Sequence, residues 1–600
     1  IIKWAIDLIN QDIGSDSTQP NVSLESIDIS NSEIYERLRE AKTVGIFQLE
    51  SRGMKDLIRR LLPDSIEDII ALVALFRPGP LQSGAVDDYV DRKHGRAKIE
   101  YPHPLLEPVL KSTYGVVLYQ EQVMQTAQVL AGFSLGQADL LRRAMGKKKP
   151  EEMAKVREQF LEGSSERDIP SDLANQIFDS LEKFAGYAFN KSHSATYALI
   201  SVQTAWLKTF YPAHFLAANL SAEMQNTDRI LTLVSEAREL EIKVLMPSIN
   251  ESDFHFTVDD GDIRYGLGAI KGLGEAAIEM IVEARSQSSF ESLREFCRRV
   301  EAKKLGRRAL EALINSGSMD SFGLESGATN EIRSELHKEL EAAIKSAEQI
   351  DRDAKAGIVD LFGGIESGTD LYSGSPTQAL SVLETLEKER ESLGLFLSGH
   401  PMDVYSEEIC SLCPRPLDRI ESGKKRQWIA GVASNIRFMQ SKQGKPICFF
   451  TLSDSRAFIE ASVPSECFEK CASTIRDGDI LLVESEIQPD RFTNGLVARV
   501  QNVISIDEYR EKFIHSIVIH VNEKCWGAGL VDALKANLDF KEVMQGRHRL
   551  SVLYDDGVQE TTISLGENWN VDLSDDLLFS LRSAFGQDNV KLNYVNVKSN

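Results

Sequence analysis

The sequence has 600 residues and a formal net charge of -23, with 42% hydrophobic and 26% charged residues. This length exceeds what one hydrophobic core supports, so several domains are expected, and the composition excludes a disordered chain. No uncharged apolar stretch is long enough for a membrane span. The acidic total argues against coating of nucleic acid by the whole surface, but it is compatible with local phosphate sites.

The chain ends and the cysteines give two further expectations. The first residues, 1–7, lack an initiator Met and resemble no signal peptide, so we expect the chain to begin inside a helix and to be part of a longer one. Seven cysteines at irregular spacing are typical of a reducing cytoplasm. Cys410 and Cys413 form an isolated CxxC pair, for which ordinary thiols are favoured over a zinc site.

The first 250 residues are predicted to be mostly helical. The apolar run 66–76 predicts a helix that is stopped by Arg77-Pro78-Gly79-Pro80, because this sequence cannot continue it. Further along, Ser134 and Gln137 have the spacing of a capping box. They predict a helix that ends at Gly146, with Pro150 in the first turn of the next helix.

A basic segment, 142–149, reads Arg-Arg-Ala-Met-Gly-Lys-Lys-Lys and holds five cations without a carboxylate. Its lysines are predicted to lie in the joint between the two helices. Phosphate suits such a cluster, because Arg binds it with a planar fork and Lys binds it as a point charge. The alternative is a solvated helix face.

A second basic segment, 189–194, reads Phe-Asn-Lys-Ser-His-Ser. Asn190 or Ser192 is predicted to cap a long helix that Pro212 terminates. Lys191 and His193 then lie at a helix N-terminus, whose partial positive charge and open N–H groups favour anions. A purely structural role for His193 is the alternative.

The glycine-rich segment 265–277 resembles a helix-hairpin-helix. Lys271 precedes the hairpin Gly272-Leu273-Gly274, whose backbone N–H groups would bind a DNA phosphate without reading sequence, and a helix follows to Arg285. A plain structural turn is the alternative. A second turn is predicted at 316–323.

A charged helix is predicted from about Thr329 to Ile350, before a glycine-rich stretch that contains Leu361 and Phe362. These two side chains either pack locally or insert as apolar anchors into a pocket of a partner. Another helix is predicted from Thr385 to Leu393.

Alternating, turn-separated strands are predicted from about Gln427 to Ile506. They indicate a small closed barrel such as an OB-fold, which often binds single strands. Since basic residues are few and surface aromatic residues cannot be identified, protein contact is nearly as favoured. Residues from about 512 to 600 read as a further acidic α/β module.

Taken together, these segments resemble the family of bacterial DNA polymerase III alpha subunits, which are C-family replicative polymerases. The resemblance is densest from about 43 to 323, thinner through the barrel and weak after about 512. The matching segments are Gly45 to Ser51 (GIFQLES), Phe76 to Leu81 (FRPGPL), Tyr101 to Pro104 (YPHP), Tyr119 to Met124 (YQEQVM), Ala144 to Lys149 (AMGKKK) and Phe189 to Ser194 (FNKSHS).

The resemblance implies a nucleotidyltransferase that adds deoxynucleotides to a primer 3′ end, with Mg²⁺ bound by three aspartates of a palm domain. Because the chain resembles this family from the fingers onward, these aspartates are expected upstream of Ile1. No catalytic or metal-binding residue is therefore assigned in this sequence. The resemblance further implies that the cations of both basic segments bind phosphates of the incoming nucleotide or of DNA. This set comprises Arg77, Arg142, Arg143, Lys147, Lys148, Lys149, Asn190, Lys191 and His193.

Two other elements follow from the resemblance. Lys271, Gly272 and Gly274 match the duplex-binding hairpin of the family. The sliding-clamp motif of the family falls at 358–362, where Ile358 replaces the usual Gln, while Asp360, Leu361 and Phe362 are kept. The loss of the polar anchor predicts reduced clamp affinity.

The fold class predicted is multidomain α+β, with helical fingers and a helix-hairpin-helix region before an OB-fold-like barrel and a small α/β domain. The predicted domains are the fingers (1–250), the helix-hairpin-helix and clamp-binding region (251–365), a helical linker (366–425), the barrel (426–508) and a clamp-loader-binding-like domain (512–600). The implied partners are primer–template DNA, deoxynucleoside triphosphates, the sliding clamp, a clamp-loader subunit and, through the missing N-terminal region, a proofreading exonuclease subunit, in the cytoplasm and without a membrane.

Two other functions are compatible with parts of this pattern. Without an upstream palm, the chain is a non-enzymatic module that binds DNA and the clamp. A helical adaptor without nucleic-acid function is the other alternative, and it predicts no salt-dependent DNA binding.

Overall fold

A computed structural model describes most of the chain, in two compact units. The first unit comprises residues 1–380 and 388–397, and the second comprises residues 381–387 and 398–600. Lys148, Lys149 and the clamp-motif residues Ile358, Asp360, Leu361 and Phe362 lie outside the described residues. The described residues are 1–15, 20–147, 150–185, 188–323, 328–355, 380–423, 425–440, 444–490, 496–522, 530–532, 534, 546–555 and 559–594.

The first unit is mainly helical. Its helices are α1 (Ile2–Ser15), α2 (Ser32–Arg39), α3 (Arg52–Leu61), α4 (Ile66–Leu75), α5 (Pro78–Ser83), α6 (Ala85–Lys93), α7 (Glu107–Leu110), α8 (Gln120–Ala131), α9 (Leu135–Lys147), α10 (Pro150–Ser165), α11 (Ser171–Ala185), α12 (Lys191–Phe210), α13 (Pro212–Ala222), α14 (Thr227–Glu239), α15 (Glu275–Arg285), α16 (Leu293–Arg299), α17 (Ala302–Leu305), α18 (Arg307–Asn315) and α19 (Thr329–Lys355). Three short strands, β1 (Val244–Leu245), β2 (Thr257–Asp259) and β3 (Asp262–Arg264), form a sheet in the order β1-β3-β2. Helix α20 (Val382–Leu393) follows.

The helix boundaries follow the local chemistry of caps and prolines. Helix α4 ends at Leu75, and Pro78 begins a new short helix rather than a loop, because proline suits a first helical turn. Ser134 and the Gln137 side chain form the predicted capping box. The expected end of α9 at Gly146 is wrong by one residue, since the helix includes Lys147. Helix α10 begins at Pro150 as predicted.

Two separate hydrophobic clusters hold the starts of α8 and α12. Helix α8 buries Val123, Ala127 and Leu130 among the apolar side chains of α9 to α11. Helix α12 buries Ala198 and Val202 against the core that includes α4. Each fully buried aliphatic side chain contributes about 1.5–3 kcal/mol to stability. Each of the two helices is therefore fixed in place by its own hydrophobic cluster.

A buried ion-pair network ties α19 to α20. The Arg333 guanidinium donates to Asp320 at 2.8 Å and to Glu389 at 2.7 Å, and the Arg333 and Glu389 side chains are 1% and 0% exposed. Burial raises the pKa of Asp320. Burial opposes the charge of Arg333, but Asp320 and Glu389 outweigh it and raise the pKa of that guanidinium. The network is therefore a structural contact that depends on all of its charges.

The second unit contains a closed barrel and a four-stranded sheet. Strands β4 (Arg426–Gln440), β5 (Pro446–Ser453), β6 (Phe458–Val463), β7 (Ile480–Pro489) and β8 (Leu496–Ser505) close in the order β4-β5-β6-β8-β7. Strands β6 and β8 are parallel, and the other adjacent pairs are antiparallel. Strand β5 points Cys448, Phe450 and Leu452 into the barrel, as the alternation predicts.

The remaining elements complete the fold. The second sheet has the order β11-β10-β9-β12. These elements are α21 (Pro401–Ile409), α22 (Ser465–Cys471), α23 (Ile506–Phe513), β9 (Ile514–Asn522), β10 (Arg549–Asp555), β11 (Glu560–Ser564), α24 (Asp575–Phe585) and β12 (Val590–Tyr594). The predicted α+β fold class, with a helical first part and a closed barrel after it, is confirmed. The five-domain division stays a prediction. Within the described residues, no helix combines the length and the apolar character needed to cross a membrane.

Candidate nucleotide and nucleic-acid interface

Helices α8 and α12 begin side by side. The chain at 118–120 runs parallel to the chain at 188–190, with the Gln120 N–H donating to the Phe189 carbonyl at 2.9 Å and the Phe189 N–H donating to the Leu118 carbonyl at 3.1 Å. Helix α8 starts at Gln120, and α12 starts at Lys191. Two helix ends of partial positive charge therefore lie next to each other.

The first turn of α12 is capped by protein groups. Asn190 is the N-cap, and its side-chain oxygen accepts a hydrogen bond from the His193 N–H at 2.8 Å. The Glu121 carboxylate accepts from the Lys191 N–H at 3.0 Å and from the Asn190 side-chain amide at 3.0 Å. The expectation that these backbone N–H groups are open to an anion is therefore wrong. For Lys191 and His193, the side chains are what remain to bind a phosphate.

Arg77, Lys191 and His193 are exposed and are supported by aromatic rings. The Arg77 guanidinium lies 4.2 Å over the centre of the Phe189 ring, and the Lys191 ammonium lies 5.4 Å from the centre of the Tyr119 ring. Within the described part of the chain, neither Arg77 nor Lys191 forms an ion pair with a carboxylate. Their charges are therefore available to an external anion.

The first basic segment is partly neutralised by a residue one helical turn earlier. The Asp139 carboxylate accepts from Arg142 at 2.7 Å and from Arg143 at 2.8 Å. The hydrogen bond from Arg142 lowers the pKa of the Asp139 carboxyl. A charge count restricted to 142–149 therefore overestimates the free positive charge of Arg142 and Arg143. Lys147 is the last residue of α9.

Sequence reasoning missed the aromatic residues that surround His193. The His193 ring stacks on Tyr197 with centres 4.2 Å apart, and it meets the edge of Phe189 at 5.1 Å. Phe47 contacts Tyr197 at 5.4 Å. Phe47, Tyr119 and Phe189 lie in segments that carry the family resemblance, which is the signal by which they could have been found.

The predicted hairpin after Lys271 has the backbone geometry that it requires. Gly272 has φ +90°, a left-handed conformation that favours glycine, and Gly274 precedes α15 without a side-chain cap. In the described residues, the N–H groups of Gly274, Glu275 and Ala276 donate to no protein acceptor. Lys271 is exposed, and its own N–H donates to the Ser392 carbonyl at 2.9 Å. The hairpin thus presents open N–H donors beside a cation.

A second cationic turn lies between α17 and α18 and was missed. Gly306, with φ +80°, precedes α18. Arg298, Lys303 and Arg308 are exposed and have no ion pair among the described residues. Counting the cations between 298 and 308 would have revealed this turn, since there are six of them, namely Arg298, Arg299, Lys303, Lys304, Arg307 and Arg308.

The barrel exposes large apolar side chains. Phe438 is 63% exposed, Met439 is 58% exposed and Phe458 is 55% exposed. Phe438 and Met439 lie near the end of β4, and Phe458 begins β6. The alternation of β-strand residues did not identify them, because it does not distinguish an outward-facing position from an inward-facing one.

In the described ranges, no three side chains of His, Cys, Asp or Glu are grouped so that they could hold a metal ion. Cys410 is exposed and Cys413 is buried, and burial raises the pKa of the Cys413 thiol.

Three family models match successive parts of the chain. They describe the bacterial DNA polymerase III alpha subunit finger domain at residues 1–168, a helix-hairpin-helix motif at residues 241–328 and an OB-fold nucleic acid binding domain at residues 427–510. A polymerase finger domain, followed by a helix-hairpin-helix motif and an OB-fold nucleic acid binding domain, places the chain in the class of bacterial DNA polymerase III alpha subunits.

Individual relatives agree with this class. DNA polymerase III subunit alpha of Pseudomonas aeruginosa is 46% identical over 617 residues, which cover 99% of this chain and 52% of that protein. The same subunit of Escherichia coli strain K12 is 42% identical over 607 residues, covering 99% of this chain and 51% of that protein. The chain belongs to the bacterial DNA polymerase III alpha subunit family. It spans about half the length of the curated relatives that it matches.

Proposed function

We propose that this chain supplies the binding of the incoming nucleotide and of template DNA to a DNA-directed DNA polymerase that replicates the bacterial chromosome. The observation that carries this proposal is the pair of exposed, carboxylate-free cations Arg77 and Lys191, which lie beside the adjoining starts of α8 and α12. The chain's place in a polymerase family supports the same assignment.

Phosphoryl transfer depends mainly on positioning and on neutralisation of charge on the triphosphate. Arg77, Lys191 and His193 would bind the triphosphate or the template backbone, and the lysines at 147–149 would extend this surface. Mg²⁺ would be bound by aspartates of a palm domain, and none of the residues proposed here to bind phosphate would be a ligand of it. We therefore expect the 600-residue chain alone to extend no primer and to act as a DNA-binding module.

Two further surfaces would bind DNA. The hairpin at 271–274 and the cationic turn at 303–308 would contact the phosphates of a duplex, since backbone N–H groups and lysines bind phosphate without reading bases. Phe438 and Phe458 on the barrel would stack on the bases of a single strand. Their exposure suits base stacking and also suits a protein partner, the alternative that the sequence had left open.

Lysine labelling tests which residues meet the nucleotide. A deoxynucleoside triphosphate that carries a lysine-reactive aldehyde on its terminal phosphate is fixed by borohydride to the chain bound to primer–template DNA. We expect the label on Lys191 or on the lysines at 147–149, and we expect unmodified nucleotide to prevent it. Label confined to other lysines, or label that unmodified nucleotide does not reduce, would contradict the proposal.

The chain would also tether the polymerase to a sliding clamp through 358–362. A tether raises the local concentration of the enzyme at the primer end and so supports processive synthesis. We expect Leu361→Ala with Phe362→Ala to abolish retention on clamp-loaded DNA, with incorporation on a short primer by the whole polymerase nearly unchanged. Equal retention of variant and parent in a clamp pull-down would refute this role.

The other implied partners rest on the family alone. A clamp-loader subunit would bind the module at 512–600, and a proofreading exonuclease would bind a region upstream of this sequence. The assembly would work in the cytoplasm, where a bacterial chromosome is copied.

A further inference from the structure

The two basic segments are physically joined by two neighbouring side chains at the start of α8. Gln120 accepts a hydrogen bond from the Arg142 guanidinium at 3.3 Å and donates one to the Ala188 carbonyl at 3.2 Å. Glu121 accepts from the Asn190 amide and from the Lys191 N–H, each at 3.0 Å. The two basic segments are far apart in sequence, but both are hydrogen-bonded to the dipeptide 120–121.

We propose that Glu121, supported by Gln120, is a positioning residue that aims the Lys191 and His193 side chains at the bound phosphate. This inference rests on the proposed function, because it assumes that Lys191 binds a phosphate of the nucleotide or DNA. It assigns Glu121 no contact with substrate.

The hydrogen bonds of Glu121 explain how it would act. The carboxylate holds the Lys191 N–H directly, and it holds the Asn190 side chain that in turn caps the His193 N–H. These donors would otherwise lack partners at the helix end. A carboxylate at a helix N-terminus is also favoured by the helix dipole. Glu121 therefore fixes the backbone from which both side chains extend.

The same contacts explain why a carboxylate is tolerated beside a phosphate site. Among the described residues, Glu121 makes no ion pair with the Lys191 ammonium, which lies over the Tyr119 ring instead. Glu121 thus orders the first turn of α12 without neutralising the side chain that would bind the phosphate.

A double-mutant cycle on DNA binding tests the positioning role. Affinity for a fluorescent primer–template is measured by anisotropy for the parent chain, Glu121→Ala, Lys191→Ala and the double variant. We expect each single change to weaken binding about tenfold, which is the scale of one charge-assisted hydrogen bond. The double variant should lose clearly less than a hundredfold, because Glu121 acts through Lys191, and any loss beyond tenfold is the part that it exerts through His193.

Lys271→Ala is the matched control, since it removes a cation of the separate hairpin at 271–274. The factor by which Lys271→Ala weakens DNA binding should multiply with the factor for Glu121→Ala, because sites without shared contacts behave independently. A general destabilisation would treat both lysines alike, so non-additivity with Lys191 and additivity with Lys271 distinguish positioning from a merely structural role.

Three results separate the possible failures. Unchanged or tighter binding by Glu121→Ala, or losses from Glu121→Ala and Lys191→Ala that multiply, would overturn the positioning role alone. Unchanged binding by Lys191→Ala would contradict the proposed function itself. If the Glu121→Ala variant unfolds at a lower temperature than the parent chain, Glu121→Gln replaces it in the cycle. With its oxygen in the place of Oε1, the Gln still accepts from the Asn190 amide and from the Lys191 N–H, but its amide replaces Oε2 and faces the Lys191 N–H. Its affinity should therefore lie between those of the parent and Lys191→Ala, and parent-like affinity would overturn the role.

Discussion

Replacing Arg333 by Met is expected to lower the free energy of unfolding of the region around α19 and α20 by about 3–5 kcal/mol, the usual cost of removing one partner of a buried ion pair. The change removes the Arg333 cation from beside the Glu389 carboxylate, which is 0% exposed. It also removes the bidentate contact to Asp320. Hydrogen exchange of peptides from α19 and α20 during a urea titration measures the loss.

Arg307→Met is the matched control for Arg333→Met. Arg307 also pairs with two carboxylates, Glu311 and Glu341, but its side chain is 65% exposed. Exposed pairs contribute at most about 1 kcal/mol, so this control should change little. Adding Glu389→Leu to Arg333→Met should recover part of the loss, because the buried carboxylate that has lost the Arg333 cation is then removed. Equal losses for Arg333→Met and Arg307→Met would show that the buried network is not what joins the two helices.

The double variant Arg77→Ala with Lys191→Ala is expected to weaken binding of primer–template DNA by about a hundredfold at low salt, on the basis of two charge-assisted contacts of about 1.5 kcal/mol each. Both cations are free of carboxylate partners in the described part of the chain, so an external phosphate would interact with their full positive charge. Both also lie over aromatic rings, Phe189 and Tyr119, that hold them in place.

Arg143→Ala is the control for this pair. Arg143 is a cation of the same surface, but it already pairs at 2.8 Å with the Asp139 carboxylate, which it shares with Arg142. We therefore expect Arg143→Ala to weaken binding by no more than about threefold, since an exposed, paired charge contributes little. A larger loss from Arg143→Ala than from the double variant would indicate that the first basic segment, and not Arg77 with Lys191, dominates phosphate binding.

Local chemistry was enough to predict the elements that carry the candidate site. Asn190 was identified as a possible N-cap of α12 because its side chain accepts from the backbone two or three residues later. Pro78 and Pro150 marked helix boundaries because proline lacks the N–H that a helix interior needs. The hairpin at 271–274 was predicted from its Gly-Leu-Gly pattern, and Gly272 adopts a backbone conformation that other residues avoid.

The contacts that decide the charge of the site could not be predicted. Glu121 reaches the start of α12 across 70 residues of sequence, through a parallel backbone pairing that no local pattern reveals. Asp139 lies just outside the segment whose charge was counted, although one helical turn brings it against Arg142. The exposed Phe438 on the barrel depends on which face of β4 points outward, which closure of the barrel determines. Each of these depends on tertiary structure.

The salt dependence of DNA binding tests most directly the claim that Arg77 and Lys191 bind phosphate. The logarithm of the association constant is measured against the logarithm of salt concentration for the parent chain and for Arg77→Ala with Lys191→Ala. The account predicts a steep negative slope for the parent and a slope that is shallower by about 2 for the variant, because each phosphate contact contributes about 0.9 on duplex DNA. Identical slopes for the two proteins, or no salt-dependent binding by the parent, would contradict it.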